Sequence, residues 1–188
     1  MKWNILIPTL NEEPYITGLR RVKSILDPQI ALFSGEVEIR INDAGRFMPT
    51  GSKRNDMVFN CDSDYFSFVD ADDIPSNHYV SKMMEGINLG VDVVTLCGKM
   101  TTNGVSKVDW IIKLGEAYEE RGGKYYRWPN HLCAFKREKV SHIKFPSIWQ
   151  GEDYQWSKQI KELGLLKTEH HIPDQIYHYE FMTNKKTR

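Results

Sequence analysis

The chain has 188 residues, of which 40% are hydrophobic and 27% are charged, and its formal net charge is zero. This length suits a single domain with a substantial core, and the charge balance argues against a protein whose main partner is nucleic acid. The three cysteines fit no zinc-ligand spacing, and no apolar stretch approaches the ~20 residues of a membrane span, so a cytoplasmic protein, at most peripheral to a membrane, is expected.

The sequence opens with a strand, a helix and a second strand. Residues 3–7 form an apolar run, which predicts a buried strand that ends at Pro8. Apolar residues then recur at the spacing of one helix face, and this predicts a helix packed on the strand. Residues 36–43 alternate apolar and polar side chains, the pattern of a strand with one less buried face, and they end at Asp43.

A basic pair follows in a segment without periodicity. Residues 44–57 show neither helical nor strand spacing, and they contain Lys53 and Arg54. Two interpretations are open from the residues alone. The pair belongs to a solvated loop or helix start, or it supplies cations for a phosphate or for acids at the strand ends.

Three acids are crowded behind the next apolar run. Residues 66–69 predict a buried strand, and Asp70, Asp72 and Asp73 follow it directly. Carboxylates this close repel one another, so a divalent cation that prefers carboxylate oxygens, Mg²⁺ or Mn²⁺, is the favoured explanation. The alternative is a loop in which Asp73 caps the following helix.

The remainder of the chain predicts further mixed elements. These are helices over 77–87, over 108–118 and from Asp153 to Gly164, and strands over 91–97, 131–135, 165–172 and 176–181. The order of elements along the whole chain indicates an α/β fold. In open sheets of this class, ligands bind at the carboxyl ends of the strands, which here carry residues 8–12, Asp43 and the acids 70–73.

Taken together, the motifs resemble the GT-A fold glycosyltransferases of the family-two group. The first strand and nucleotide-binding turn of that family are similar to Ile5-Leu6-Ile7-Pro8-Thr9-Leu10-Asn11-Glu12, and its second strand to Ile41-Asn42-Asp43. Three further motifs are a basic-Arg-Asn element, a DxD motif and a catalytic-base loop, which match Lys53-Arg54-Asn55, Val69-Asp70-Ala71-Asp72-Asp73 and Gly151-Glu152-Asp153. Residues 128–132 and 135–138 resemble the acceptor-side segment of one subgroup, and residues 176–179 resemble the closing strand.

The resemblance implies a GT-A fold, which is a Rossmann-like nucleotide-diphospho-sugar transferase fold with a central mixed, mostly parallel sheet flanked by helices. It implies a single glycosyltransferase domain over 1–188, with a nucleotide-sugar-binding half, 1–98, and an acceptor-side half with the C-terminal strands, 99–188. The implied activity is a metal-dependent, inverting transfer of a sugar from a nucleotide-sugar to an acceptor hydroxyl.

The resemblance also assigns roles to individual residues. Asp153 is the expected general base, and Mn²⁺ or Mg²⁺ is the expected cofactor, with Asp72, Asp70 and His178 as its ligands. The residues expected to bind the nucleotide-sugar are Pro8, Thr9, Glu12, Asp43, Arg54, Asp70 and Ala71. The residues expected on the acceptor side are Trp128, His131, Trp149 and Glu152. From the residues alone, Asp153 also suits a helix N-cap, His178 a strand histidine, and the tryptophans an ordinary core.

The expected partners are a nucleotide-diphosphate sugar donor and an acceptor hydroxyl on a glycan, a lipid, a protein or a modified nucleic acid, and self-association is also allowed. Two alternatives to the transferase stay open. One is a haloacid-dehalogenase-like phosphatase, which needs a second acidic pair that is not obvious after residue 90. The other is a catalytically inactive nucleotide-sugar-binding protein, against which the intact acids at positions 70, 72 and 153 argue.

Overall fold

The computed structural model describes residues 1–182, so residues 183–188 of the predicted acceptor-side half lie outside the described part. The helices are α1 Tyr15–Ile30, α2 Thr50–Phe59, α3 Tyr79–Ile87, α4 Arg137–Val140 and α5 Glu152–Glu162. The strands are β1 Trp3–Pro8, β2 Val37–Asn42, β3 Tyr65–Phe68, β4 Ile74–Pro75, β5 Val93–Thr102, β6 Val105–Ile112, β7 Glu119–Arg121, β8 Lys124–Arg127, β9 Ala134–Lys136 and β10 Glu169–Phe181. No helix within residues 1–182 combines the length and the apolar character that crossing a membrane requires.

The strands form one ten-stranded sheet with helices against it. Neighbouring strands follow the order β2-β1-β3-β9-β5-β6-β8-β7, and β10 pairs with β5 and β4. Within residues 1–182, four strand pairings are parallel and five are antiparallel. The predicted α/β fold with a mixed sheet is confirmed, but parallel pairings are not the majority, because β9 runs antiparallel between β3 and β5 and because β5 and β6 form a hairpin.

Strand β1 positions the edge at which the predicted donor residues meet. It is buried along its whole length and runs parallel to both β2 and β3, with Pro8 opposite Asn42 and Leu6 opposite Phe68. Parallel strands place their carboxyl ends on the same side of a sheet. The turns that carry Thr9, Asp43 and the acids 70–73 therefore emerge side by side.

Helix α2 lies in the segment for which no regular structure was predicted. Its buried face contains Gly51, Lys53, Arg54, Met57 and Val58, so two cations occupy positions that apolar side chains usually take. Because these two inward-facing positions carry cations, the apolar residues of α2 do not show the spacing of a helix. Gly51 is required by close packing, since a Cβ at this position would lie 1.9 Å from the carbonyl oxygen of Pro146 in the loop before α5.

The predicted helix over 108–118 is wrong. Residues 105–112 form β6, which pairs antiparallel with β5 and places Val105 opposite Thr102. The two residues between them, Asn103-Gly104, have φ values of 52° and 76°. Both positions of a type I′ hairpin turn need positive φ, and Asn-Gly is its preferred sequence. The turn therefore directs the chain back along β5 as a strand.

The C-terminal strand is longer than predicted. The stretches 165–172 and 176–181 were predicted as separate strands, whereas residues 169–181 form the single strand β10, interrupted by irregular pairing between Ile172 and Tyr177. Strand β10 runs parallel to β5, and its second half also pairs with β4. This pairing brings the C-terminal strand against the segment that directly follows the three acids.

Candidate active site

The nucleotide-side residues that the sequence predicts lie at the carboxyl edge of β1 and β2. Pro8 and Thr9 are buried, and Asp43 is exposed just beyond β2. The Lys53 ammonium reaches this edge from α2 and donates a hydrogen bond to the Thr9 carbonyl oxygen over 2.6 Å. Burial lowers the pKa of Lys53, while the negative charges of Asp43 and Glu12 oppose the shift. Lys53 therefore offsets the negative charge of these acids.

Two further residues of the predicted donor site adjoin this edge. The Glu12 carboxylate forms an ion pair with Arg46. Ala71 is buried, and its carbonyl oxygen packs so tightly against Gly18 of α1 that a Cβ there would come within 2.4 Å. Helix α1 thus fixes the backbone between Asp70 and Asp72.

The three crowded acids have different surroundings. Asp73 is buried, and it accepts hydrogen bonds from the Tyr177 hydroxyl at 2.9 Å and from the Glu180 amide at 3.2 Å. Burial, together with the charges of Asp70 and Asp72, raises the pKa of Asp73 well above its usual value. Asp72 is half-buried, and its carbonyl oxygen accepts a hydrogen bond from Arg21. Asp73 is therefore held inside the protein by hydrogen bonds, while the charges of the other two acids still act on it.

Arg54 joins Asp70 to the beginning of α5. Its guanidinium is 3% exposed, donates from Nη2 to Asp70 Oδ1 over 2.9 Å and from Nε to Glu152 Oε1 over 3.2 Å, and lies 4.6 Å above the ring of Phe68. Burial acts to lower the pKa of Arg54, but the charges of Asp70 and Glu152 reverse the shift. Burial also raises the pKa of Glu152, and Arg54 opposes that change.

His131 makes a second connection between the same two elements. Its Nε2 lies 3.4 Å from Asp70 Oδ2, and its Nδ1 lies 3.3 Å from Asp153 Oδ2, the latter as an ion-pair contact rather than an aligned hydrogen bond. Burial and the charge of Arg54 act to lower the pKa of His131, but the carboxylates of Asp153 and Asp70 outweigh them and raise it to about 9. The ring therefore carries a positive charge at neutral pH.

Asp153 lies in the first turn of α5. The N-cap position belongs to Gly151, whose φ is 78°, so the interpretation of Asp153 as an N-cap is wrong. Burial acts to raise the pKa of Asp153, but His131 and Arg54 lower it to about 2. The side chain is 35% exposed. Asp153 is therefore a carboxylate that solvent and ligands can reach.

The other acceptor-side residues of the prediction have mixed exposure. Trp128 is buried, its indole Nε1 donates to Ser157 Oγ over 3.0 Å, and its ring contacts those of Tyr118 and Tyr154 at centroid distances of 5.1 and 5.6 Å. Trp149 is half-buried. Glu152 is buried against Arg54 rather than open to solvent. Contacts of these residues with an acceptor remain a prediction.

The predicted metal ligands do not form a complete metal site. His178 is opposite Ile74 in the sheet, and its Nε2 lies 2.8 Å from Thr101 Oγ1. Across residues 1–182, no three His, Cys, Asp or Glu side chains are grouped so that they could hold a metal ion. Asp70 contacts Arg54 and His131, and Asp72 is half-buried beside it in the same turn. Mg²⁺ sites in nucleotide enzymes commonly use one or two carboxylates plus substrate phosphates, and the donor set fits an ion shared in this way.

Tyr177 contacts two of the three acids, although no sequence pattern pointed to its side chain. Its hydroxyl donates to Asp73 and accepts a hydrogen bond from the Asp70 amide at 3.2 Å. In the sequence, Tyr177 is one of several aromatic residues in a strand-like stretch. Only the pairing of β10 with β4 shows that it faces the acids.

Comparison with known proteins identifies the fold. No protein-family model and no curated protein matches the sequence. The chain is similar to residues 1–349 of S. aureus TarS solved with UDP-GlcNAc, with a TM-score of 0.66, 14% identity, and coverage of 100% of this chain and 60% of that one. It is also similar to the same TarS segment solved with UDP, with a TM-score of 0.60 and 15% identity over 96% of this chain and 60% of that one.

A third similar structure is A197 from STIV, with a TM-score of 0.53, 18% identity, and coverage of 92% of this chain and 82% of that one. These matches show that the chain has the GT-A fold. The chain spans 60% of the length of the TarS segment. A haloacid-dehalogenase-like phosphatase would have a different fold, so that alternative is set aside.

Proposed function

We propose that the chain is a glycosyltransferase that moves a sugar from a nucleotide-sugar to an acceptor hydroxyl, with inversion at the anomeric carbon. One observation carries the proposal. Asp70, which follows β3, and Asp153, which begins α5 far along the chain, both contact the same buried imidazole of His131. An acid of the predicted donor side and the partly exposed carboxylate of Asp153 therefore lie on either side of one imidazole, in a fold that also occurs in a protein solved with UDP-GlcNAc.

On the donor side, the nucleoside lies along the carboxyl ends of β1 and β2. Pro8, Thr9 and Glu12 line the base and ribose, and Asp43 accepts a hydrogen bond from the base. Asp70 and Ala71 bind the ribose side of the nucleotide. The buried guanidinium of Arg54 holds Asp70 in place and adds positive charge close to the diphosphate. A direct contact between Arg54 and the nucleotide remains a prediction.

A divalent ion, Mn²⁺ or Mg²⁺, would be held by Asp72 together with the substrate diphosphate, and Asp70 lies beside it. When bound, the ion neutralises the charge that the leaving nucleotide diphosphate gains. His178 as a third ligand remains a prediction. Its imidazole pKa is lowered by burial and by the charge of Lys99, which favours the neutral form that metal coordination requires.

On the acceptor side, Asp153 is the general base. As the acceptor oxygen bonds to the anomeric carbon, its proton passes to the Asp153 carboxylate, and the bond between that carbon and the diphosphate oxygen breaks with its electron pair leaving on the nucleotide. A single displacement of this kind inverts the carbon. Positioned proton transfer typically contributes a rate factor of ~10²–10⁴.

A ligand panel tests donor binding before any acceptor is known. The panel consists of nucleotide-sugars with Mn²⁺ in a thermal-unfolding assay, beginning with UDP-GlcNAc because TarS has been solved with it. A donor at 100 times its Kd should stabilise the wild type by about 2.7 kcal/mol. The stabilisation should be largely lost in Asp72→Asn and kept in Asp174→Asn, whose carboxylate is 60% exposed and pairs with Lys82. If no nucleotide-sugar stabilises the wild type, the proposal fails.

A further inference from the structure

His131 lies between the two acids to which the proposed function gives separate tasks. Its side chain is 9% exposed, with one nitrogen 3.4 Å from the donor-side acid Asp70 and the other 3.3 Å from the base Asp153. An ordinary core histidine faces apolar neighbours or a single partner. Here both nitrogens face carboxylates that belong to different elements.

The backbone of His131 is fixed to the strand that carries Asp70. The amide of Phe68, two residues before Asp70, donates a hydrogen bond to the His131 carbonyl oxygen over 2.9 Å. His131 also lies within a turn in which the Asn130 carbonyl oxygen accepts a hydrogen bond from the Cys133 amide at 2.9 Å. The backbone of His131 is therefore attached to the donor-side strand, and its imidazole reaches Asp153 in the first turn of α5.

The contact with Asp153 differs from the neighbouring bridge. Arg54 binds Glu152 through a hydrogen bond that is buried on both sides, whereas Asp153 is 35% exposed and its contact with His131 Nδ1 is not aligned as a hydrogen bond. Hydrogen bonds in a catalytic site are often poorly aligned without substrate and tighten when it binds. Arg54 thus anchors the helix start, and His131 acts on the carboxylate that stays accessible.

We propose that His131 is a positioning residue, which orients the Asp153 carboxylate toward the acceptor hydroxyl at a fixed place relative to the bound donor. This inference rests on the proposed function. His131 thereby couples the position of the base to that of the donor, because its backbone is hydrogen-bonded to the strand that leads to the donor-side acid Asp70. The direct contact of His131 with the acceptor, expected from the sequence, remains a prediction.

A double-mutant cycle separates positioning from a merely structural role. The variants are His131→Ala, Asp153→Asn and the pair, and the readout is kcat and donor KM for metal-dependent nucleotide release from the best donor. We expect His131→Ala to lower kcat ~10–100-fold, part of the ~10²–10⁴ that a positioned base supplies, with donor KM nearly unchanged. In the Asp153→Asn background, the same substitution should change kcat by less than about 2-fold, because residues that act as a unit are not additive.

Two further variants serve as a conservative replacement and as a control in this experiment. His131→Gln keeps a hydrogen-bond donor at the site, so it should recover part of the lost kcat, and it replaces the alanine variant in the cycle if that variant does not fold. His142→Ala removes an exposed histidine of the loop after α4 and should leave both constants unchanged.

The outcomes distinguish the inference from the proposed function. Equal losses of kcat in both backgrounds, or a rise in donor KM with kcat unchanged, overturn the positioning role while the transferase stands. If the wild type releases no nucleotide from any donor with metal present, the proposed function fails and the inference fails with it.

Discussion

Replacing Arg54 by methionine should be among the most destabilising single changes in the chain. Methionine approximates the aliphatic part of the arginine side chain but removes the charge that two acids share. The side chains of Arg54 and Glu152 are 3% and 6% exposed, whereas that of Asp70 is 29% exposed. Without Arg54, the Glu152 carboxylate is left as a buried charge without this partner, while water can partly solvate Asp70.

The magnitude follows from these exposures. Removing one partner of a buried ion pair typically costs about 3–5 kcal/mol, and the loss of the contact between Arg54 and the Phe68 ring adds ~0.5–1 kcal/mol. With a urea m-value of ~2 kcal/mol/M, a loss of about 4 kcal/mol lowers the unfolding midpoint by about 2 M. Burial already raises the pKa of Glu152, so the carboxyl group takes up a proton more readily in the variant and the loss should shrink as the pH falls.

The assay is urea unfolding at pH 7, with Arg40→Met as the matched control. Arg40 is 30% exposed and pairs with exposed Glu38 and Asp62, so its loss should cost no more than about 1 kcal/mol. The double variant Arg54→Met/Glu152→Leu should recover much of the stability, because removing both charges leaves no buried charge unpaired. Equal losses for the Arg54 and Arg40 variants, or a double variant less stable than Arg54→Met, would refute the reasoning.

Three further predictions follow from the same contacts. The pKa of His131 is raised from 6.5 to about 9, so the stabilisation of the fold by the charged imidazole is complete below pH 6.5 and is lost as the pH rises through 9. Urea titrations over this range should show that the free energy of unfolding of the wild type falls by about 3 kcal/mol, and that this loss is absent in His131→Gln. Parallel pH dependences of the two proteins would contradict this prediction. Gly51→Ala places a Cβ 1.9 Å from the Pro146 carbonyl oxygen, so it should lower both the melting temperature and the rate of nucleotide release. In the control Gly45→Ala, the nearest neighbour of the new Cβ is a side-chain atom of Phe47 at 3.4 Å, so both quantities should stay unchanged. Mn²⁺ alone should leave the melting temperature nearly unchanged, since no three-ligand cluster exists in residues 1–182. Mn²⁺ together with a nucleoside diphosphate should raise the melting temperature. An equal rise with Mn²⁺ alone would indicate that the protein forms a complete metal site by itself.

Most of the donor half could be predicted from the sequence, because there the pattern of buried residues is continuous. Strand β1 is apolar and buried throughout, and Val22 and Leu26 of α1 are buried as their spacing indicates. Helix α2 was missed because Lys53 and Arg54 point inward, where a pattern search expects apolar side chains. Both inward-facing charges have partners inside the fold, since Lys53 donates to the Thr9 carbonyl oxygen and Arg54 pairs with Asp70 and Glu152.

The error at β6 has a different cause. Apolar residues between positions 105 and 118 fit both a helix and a strand, so periodicity alone does not decide between them. The deciding signal was the turn Asn103-Gly104, which specifies a hairpin. Within the site, the motifs selected Asp70 and Asp153, but the bridges through Arg54 and His131 depend on contacts between distant segments, which one sequence does not contain.

The most direct test of the central claim is nucleotide release from a panel of nucleotide-sugars with Mn²⁺, measured for the wild type, Asp153→Asn and the control Asp174→Asn. We expect nucleotide release by the wild type and by the control. Asp153→Asn should lose a factor of ~10²–10⁴ in kcat, the usual contribution of a positioned base, while still binding the donor. Full activity of Asp153→Asn, in an enzyme that turns over its donor, would contradict the assignment of the base.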